Sequence, residues 1–207
     1  MHGPGQLGCL GAHTLRLFGA MADLLTLPTF DHGEIFRVVV ESPRGSTSKF
    51  KYDKDYGVIA LSRPLPAGLS YPHDWGFVPS TLAPDGDPLD AIIAWDGKSY
   101  PGVVIACRAI GVLQVEQRSR AAGERERNDR VIALPANAPR WDAVGTIFDL
   151  GDRLRQELEQ FFLAAVAFES KALSLCGWAG AAEAAQIVKD ATRTTLRDTV
   201  AHLVNRK

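Results

Sequence analysis

The stretch Ala83–Trp95, "APDGDPLDAIIAW", places three carboxylates, Asp85, Asp87 and Asp90, directly before the apolar run Ala91-Ile92-Ile93-Ala94. That run has the length and composition of a buried strand, so the acids lie on the loop that enters it. Like charges gathered this closely repel one another unless solvent screens them or a cation neutralises them. Two readings stand. One is a wet turn, in which Asp, Gly and Pro serve backbone preferences alone. The other is a metal site. A calcium loop of the EF-hand kind is excluded, because Leu89 and Asp90 occupy the places of a ligand and of the invariant glycine. Magnesium suits the loop better, since it binds through few carboxylates and commonly shares a phosphate ligand. Pro88 stiffens the loop and sets where its neighbours point.

Outward from this loop the chain reads as strands. Towards the N-terminus, "FRVVVES" (36–42) is β-branched and ends at Pro43-Arg44-Gly45-Ser46, "KFKYD" (49–53) alternates, and "YGVIALSR" (56–63) is again apolar. Towards the C-terminus, "GVVIACRAIGVLQVE" (102–116) is a long β-rich run with Gly111 as its expected bend or bulge, and "DRVIALP" (129–135) stops at Pro135. Short strands with turn signals between them predict a small closed barrel, a mainly β (α+β) fold. Helices come late. Leu154, Leu158, Phe161, Phe162 and Ala165 share one helical face, with Asp149 or Asp152 as the expected cap. A second helix is predicted from about Ala181, with Ile187, Val188 and Leu196 apolar. Two or more helices therefore pack on the barrel.

The composition narrows the function. With 207 residues, 46% of them hydrophobic, the chain has material for one well-filled domain. A net charge of −1 supplies no field to recruit nucleic acid or an anionic membrane, and the acidic loop would repel a phosphate backbone. No window reaches the roughly 18 apolar residues of a membrane span. Cys9, Cys107 and Cys176 are scattered and unpaired in sequence, which excludes a zinc ribbon and points to a reducing cytoplasm. Residues 1–20 are Gly-rich and unlike a signal peptide. They are expected to be a disordered extension or a misassigned start ahead of Met21, leaving 21–207 as the domain.

The phosphate side of such a pocket is present as well. Lys49 and Lys51 alternate on one strand face and Arg63 precedes Pro64. Arg makes bidentate phosphate contacts and Lys acts as a point charge. With the residues "VVVESPRGSTSKFKYD", "YPHDWGFVPSTLAPDGDPLDAIIAW", "PGVVIACRAIGVL", "ERNDRVIALP", "ELEQFF" and "GWAGAAEAAQIV", the chain resembles the soluble family I inorganic pyrophosphatases from about Val38 to Lys189. The resemblance implies a five-stranded OB-like barrel, magnesium as cofactor, inorganic diphosphate as substrate, and a homo-oligomer, in bacteria often a hexamer. It also implies roles. Asp85 and Asp90 would hold activating magnesium ions, and Asp87 would take a proton from the attacking water. Glu41 would be an outer or additional metal carboxylate. Lys49 and Arg63 would grip phosphates, and Tyr71 would orient nearby groups. Two metals can activate water and neutralise diphosphate charge for direct in-line attack.

Departures from the family pattern gather at the chemistry. Lys51 stands where a Glu is usual, and Trp75 replaces a tyrosine. Two aspartates usual in the second acidic segment fall near Gln117 and at Asn128, and the family lysine that follows is Arg130. Asn128 can offer only a neutral carbonyl oxygen, and Glu126 shares its strand face and is a candidate to compensate. A Tyr-Lys pair usual after the double Phe is Ala165-Val166, with Ser170 or Lys171 as candidate substitutes. The leading expectation is a magnesium-dependent inorganic diphosphatase. The alternatives are a catalytically weak homologue with a regulatory or assembly role, and a hydrolase of another phosphoanhydride with Trp75 stacking on a base.

Overall fold

The computed structural model describes residues 23–118, 125–169 and 172–204, with side chains as far as Thr192. The strands are β1 (Phe30–His32), β2 (Ile35–Ser42), β3 (Ser48–Asp53), β4 (Val58–Pro64), β5 (Asp74–Phe77), β6 (Asp90–Ile93), β7 (Val104–Arg118), β8 (Arg125–Arg127), β9 (Arg130–Pro135) and β10 (Ser174–Gly180). The helices are α1 (Asp152–Ala165) and α2 (Ala181–Val204). The extension expected at residues 1–20 lies outside the described residues.

Five strands close on themselves. β2 pairs with β5, β5 with β6, β6 with β9, β9 with β7, and β7 returns to β2. Only β6–β9 among these pairs is parallel. This is the five-stranded ring that the sequence leads one to expect. The β3–β4 hairpin forms its own two-stranded sheet beside it. β7 pairs with β2, β9, β10 and β8 along its length and bends to do so: its register to β9 shifts between Ala109 and Gly111, as Gly111 predicts. A Cβ at Gly111 would lie 2.5 Å from Ile147 Cγ2, so the bend also needs a residue without a side chain. Beyond the bend, Gly111–Glu116 pairs with β10.

The apolar runs in β6 and β9 are continuous because both faces are covered. Ala91, Ile93, Val131 and Ala133 face one cluster with Val38, Val40 and Val112, which α2 covers through Ala184, Val188 and Ala191. Ile92, Ile132 and Leu134 face the other, covered by Leu158 and Phe162 of α1. Burying Val188 alone is worth about 1.5–3 kcal/mol, more than differences in helix propensity supply, so packing is what holds α2. The side chain of Leu196 lies outside the described residues. Neither helix is long and apolar enough, among the described residues, to cross a membrane.

Three local features differ from the sequence reading. β5 forms around Gly76, whose missing side chain lets it pack against the Val39 carbonyl of β2; a Cβ there would lie 1.9 Å from that oxygen. β10 contains Gly177 and Gly180 and lacks a β-branched run, so nothing in its composition marks it as a strand. Neither expected aspartate caps α1. Gly151 is its N-cap, while the Asp149 carboxylate accepts from the backbone N–H groups of Gly145 and Thr146 and closes a short 3₁₀ turn.

Candidate active site

The acidic loop is fastened at its root by backbone and hydroxyl hydrogen bonds. Val78 N–H donates to Leu89 O at 2.8 Å, and the Thr81 hydroxyl both donates to Val78 O and accepts from Leu89 N–H. Ala83 N–H reaches Asp87 O, and Gly86 N–H returns to Ala83 O with Gly86 at φ 81°, a left-handed geometry that Gly adopts without a side-chain penalty. Ala83 and Leu89 are buried in the core. The anchored stems therefore present Asp85 and Asp87 at the turn and Asp90 as the first residue of β6.

β2 and β3 bring the remaining groups. The Glu41 carboxylate accepts from Tyr52 N–H at 2.7 Å, and the Ser42 hydroxyl accepts from Phe50 N–H at 2.9 Å. These bonds hold β3 beside the end of β2. Burial pushes the Glu41 carboxyl up to about 7, and the Asp90 charge adds to the rise against the opposing pull of the Tyr52 amide, Lys51 and Lys49. Burial also raises Asp85, aided by the charges of Asp90 and Asp87. The acids thus lie close enough to disfavour one another's ionisation.

Each carboxylate of the loop faces a donor of the chain. Lys51 Nζ lies 3.3 Å from Asp87 Oδ2. Asn128 Nδ2 donates to Asp85 Oδ2 at 2.8 Å. Arg130 Nη1 lies 2.9 Å from Asp90 Oδ2 and also donates to the Asn128 carbonyl and side-chain oxygens. Arg130 is held from its other side, with its guanidinium 5.6 Å from the Trp75 ring centroid and 5.8 Å from that of Phe162. Among the described residues no three His, Cys, Asp or Glu side chains form a metal-sized group. The donor set nevertheless suits a hard divalent cation, because it consists of neighbouring carboxylate oxygens whose mutual repulsion a cation would relieve.

The other expected residues fall as follows. Lys49 and Arg63 are direct partners across β3 and β4, so their side chains share a face. Arg63 forms an ion pair with Glu169 and donates to Ala165 O at 2.9 Å, so the end of α1 holds it. Tyr71 is buried beside Leu65 and Phe161, and burial pushes its phenol up to about 12. Trp75 packs against Tyr71, Phe161 and Phe162 with Arg130 over its ring, which leaves it an aromatic anchor rather than a surface for stacking a base. Glu126 pairs across the β7–β8 hairpin with Gln117, 3.3 Å from its amide, while Asn128 takes the place beside Asp85. Asp129 turns to Val115 N–H and Arg127. Ser170 and Lys171 lie outside the described residues.

Two acids escape the sequence reading, one beside the site and one in its support. Glu169 is the partner of Arg63, a carboxylate too far along the chain for spacing to connect them. Asp74 is fully buried and accepts from Arg44 N–H at 2.8 Å and Trp95 Nε1 at 2.7 Å, tying the loop after β2 to β5. A charged residue opening a short apolar strand was its only signal.

This ring of five strands, with an acidic loop on one strand and a basic hairpin beside it, is the architecture of a known class of phosphate-processing proteins. The family described as inorganic pyrophosphatase matches residues 38–195. A protein named inorganic pyrophosphatase from Thermus thermophilus is 40% identical over 162 residues, covering 76% of this chain and 89% of that one. Another so named, from Synechocystis sp., is 36% identical over 156 residues, covering 75% and 89%. The crystal structure of inorganic pyrophosphatase from Thermus thermophilus superposes with a TM-score of 0.78 at 36% identity, covering 84% of this chain and 99% of that one. The chain belongs to the inorganic pyrophosphatase family.

Proposed function

We propose that this protein hydrolyses inorganic diphosphate to two phosphates, with magnesium as its divalent cation. Family membership supports the reaction, and the observation that carries the site is the fastened loop that presents Asp85, Asp87 and Asp90, with Lys51 of β3 reaching Asp87. Asp85, Asp87 and Asp90 would hold the cation, with Glu41 behind them. When bound, it would neutralise diphosphate charge and make water a stronger nucleophile at neutral pH.

The chain's own side chains supply the rest. Asp87 is the acceptor for the proton of the attacking water, since it stands at the tip of the loop rather than in its buried root. Lys49 and Arg63, side by side on the hairpin, bind the phosphate oxygens. Tyr71, kept neutral by burial, serves as a hydroxyl donor rather than a charge. Arg130, expected from the sequence to bind substrate, also holds Asp90 and Asn128 in place. Neutral Asn128 and Gln117 leave the second acidic segment with fewer ligands, and Ala165 and Val166 offer no phosphate donors. Self-association, to a hexamer by family resemblance, and a cytoplasmic location complete the proposal.

Phosphorus NMR of magnesium diphosphate with the protein tests it. The diphosphate signal should give way to orthophosphate alone, with no phosphorylated protein. Unchanged diphosphate, or a phosphoprotein that accumulates on the way, would exclude direct hydrolysis.

A further inference from the structure

The three acids of the loop are matched by three donors that differ in how easily they can leave. Arg130 is 7% exposed, wedged between Trp75 and Phe162 and bonded to Asn128, so it cannot withdraw from Asp90 without losing its other partners. Asn128 is buried and carries no charge to oppose a cation. Lys51 is different. Its side chain is 44% exposed, it reaches Asp87 from an open hairpin strand, and a four-carbon stem lets its ammonium move into solvent.

We infer that Lys51 is a resident counter-ion that competes with the divalent cation for Asp87, so that the free protein neutralises its acidic loop from within. This rests on the reading of Asp85, Asp87 and Asp90 as the cation-binding set. A unit positive charge a few ångströms from a dication opposes its binding by Coulomb repulsion, and the amine must also give up the carboxylate it holds. The half-exposed Lys51–Asp87 pair is itself weakly held, so the amine is displaced rather than blocking the cation outright. The magnesium requirement of the protein is thereby set by exchange at Asp87, while Arg130 stays on Asp90 throughout.

The experiment is calorimetric titration of the full chain with magnesium chloride, without diphosphate, at low and high ionic strength. Lys51→Met keeps the stem and removes the charge, and should bind magnesium about ten-fold more tightly than the wild type at low salt. Lys51→Glu should bind more tightly still, and the advantage of both should shrink in high salt. Lys54→Met, an equal charge change in the exposed β3–β4 turn, should have no such effect. Thermal melts establish that all variants fold. If Lys51→Met and Lys51→Glu match the wild type while Asp85→Ala loses binding, the cation set stands and the counter-ion role is overturned. If Asp85→Ala and Asp90→Ala bind as well as the wild type, the cation set itself is misplaced and the counter-ion role falls with it.

Discussion

Asn128 Nδ2 donates to Asp85 Oδ2 at 2.8 Å, so this neutral side chain binds a loop acid as a donor instead of adding a charge beside it. Asn128→Asp reverses this. It removes the donor and adds a carboxylate next to Asp85, Asp87 and Asp90, while Arg130 still has an oxygen to bond. Without metal the variant should lose on the order of 1 kcal/mol of stability from like-charge crowding and the lost hydrogen bond. With magnesium it should be half-saturated at a lower metal concentration. Melting curves with and without magnesium check both effects, which have opposite signs.

Arg63 is held by Glu169 and by the carbonyl of Ala165 at the end of α1. If Arg63 binds phosphate as proposed, a carboxylate on it would compete with the substrate. Glu169→Gln should therefore tighten diphosphate binding several-fold, while Arg63→Ala and Lys49→Ala should weaken it about ten-fold or more, the loss expected for a charged hydrogen bond. Competition binding in the presence of magnesium distinguishes them. Equal affinity in all variants would put the phosphate site elsewhere.

Asp74 is the buried acid that has no part in the chemistry. Asp74→Ala would strand two donors, Arg44 N–H and Trp95 Nε1, inside the protein. The cost should be on the order of 3 kcal/mol, read as a large drop in melting temperature with no change in magnesium dependence in whatever fraction stays folded.

The pattern of apolar residues made β2, β4, β7, β9 and both helices legible, because each presents a run or a stripe that only one element type can bury. β5 and β10 were not legible, since they hold their places through glycines that let neighbours approach, and an absent side chain leaves no pattern. In the site, the loop acids and the Lys49–Lys51 alternation could be read from local spacing, and Glu41 only through the family resemblance. Their pairing could not. Lys51 with Asp87, Asn128 with Asp85 and Arg63 with Glu169 are separated by 36, 43 and 106 residues, and only the folded chain brings them together. Glu126 shares a strand direction with Asn128, yet the β7–β8 hairpin aims it at Gln117.

His73 gives the fold a pH dependence. Burial, helped by the nearby Arg44 charge, lowers its pKa below the ordinary 6.5. The unfolded chain therefore binds a proton that the folded one refuses. The sign follows: stability is full above about 6.5 and falls as pH drops from there towards the folded pKa. Glu41, raised to about 7, acts oppositely, since the folded protein binds its proton first and gains stability as pH falls through 7. The two are separated by His73→Gln. Between pH 7.5 and 5.5 this variant should lose less stability than the wild type in metal-free denaturant titrations. Identical slopes would mean that His73 is freely protonated in the fold.

Asp87 carries the proposed reaction, and its removal tests it most directly. Phosphate release from magnesium diphosphate should be measured for the wild type and Asp87→Asn, each purified away from any host pyrophosphatase. Asparagine keeps the shape of the loop but cannot accept the water's proton, so the rate should fall by about two orders of magnitude or more. Equal phosphate release by the two proteins would contradict hydrolysis through Asp87.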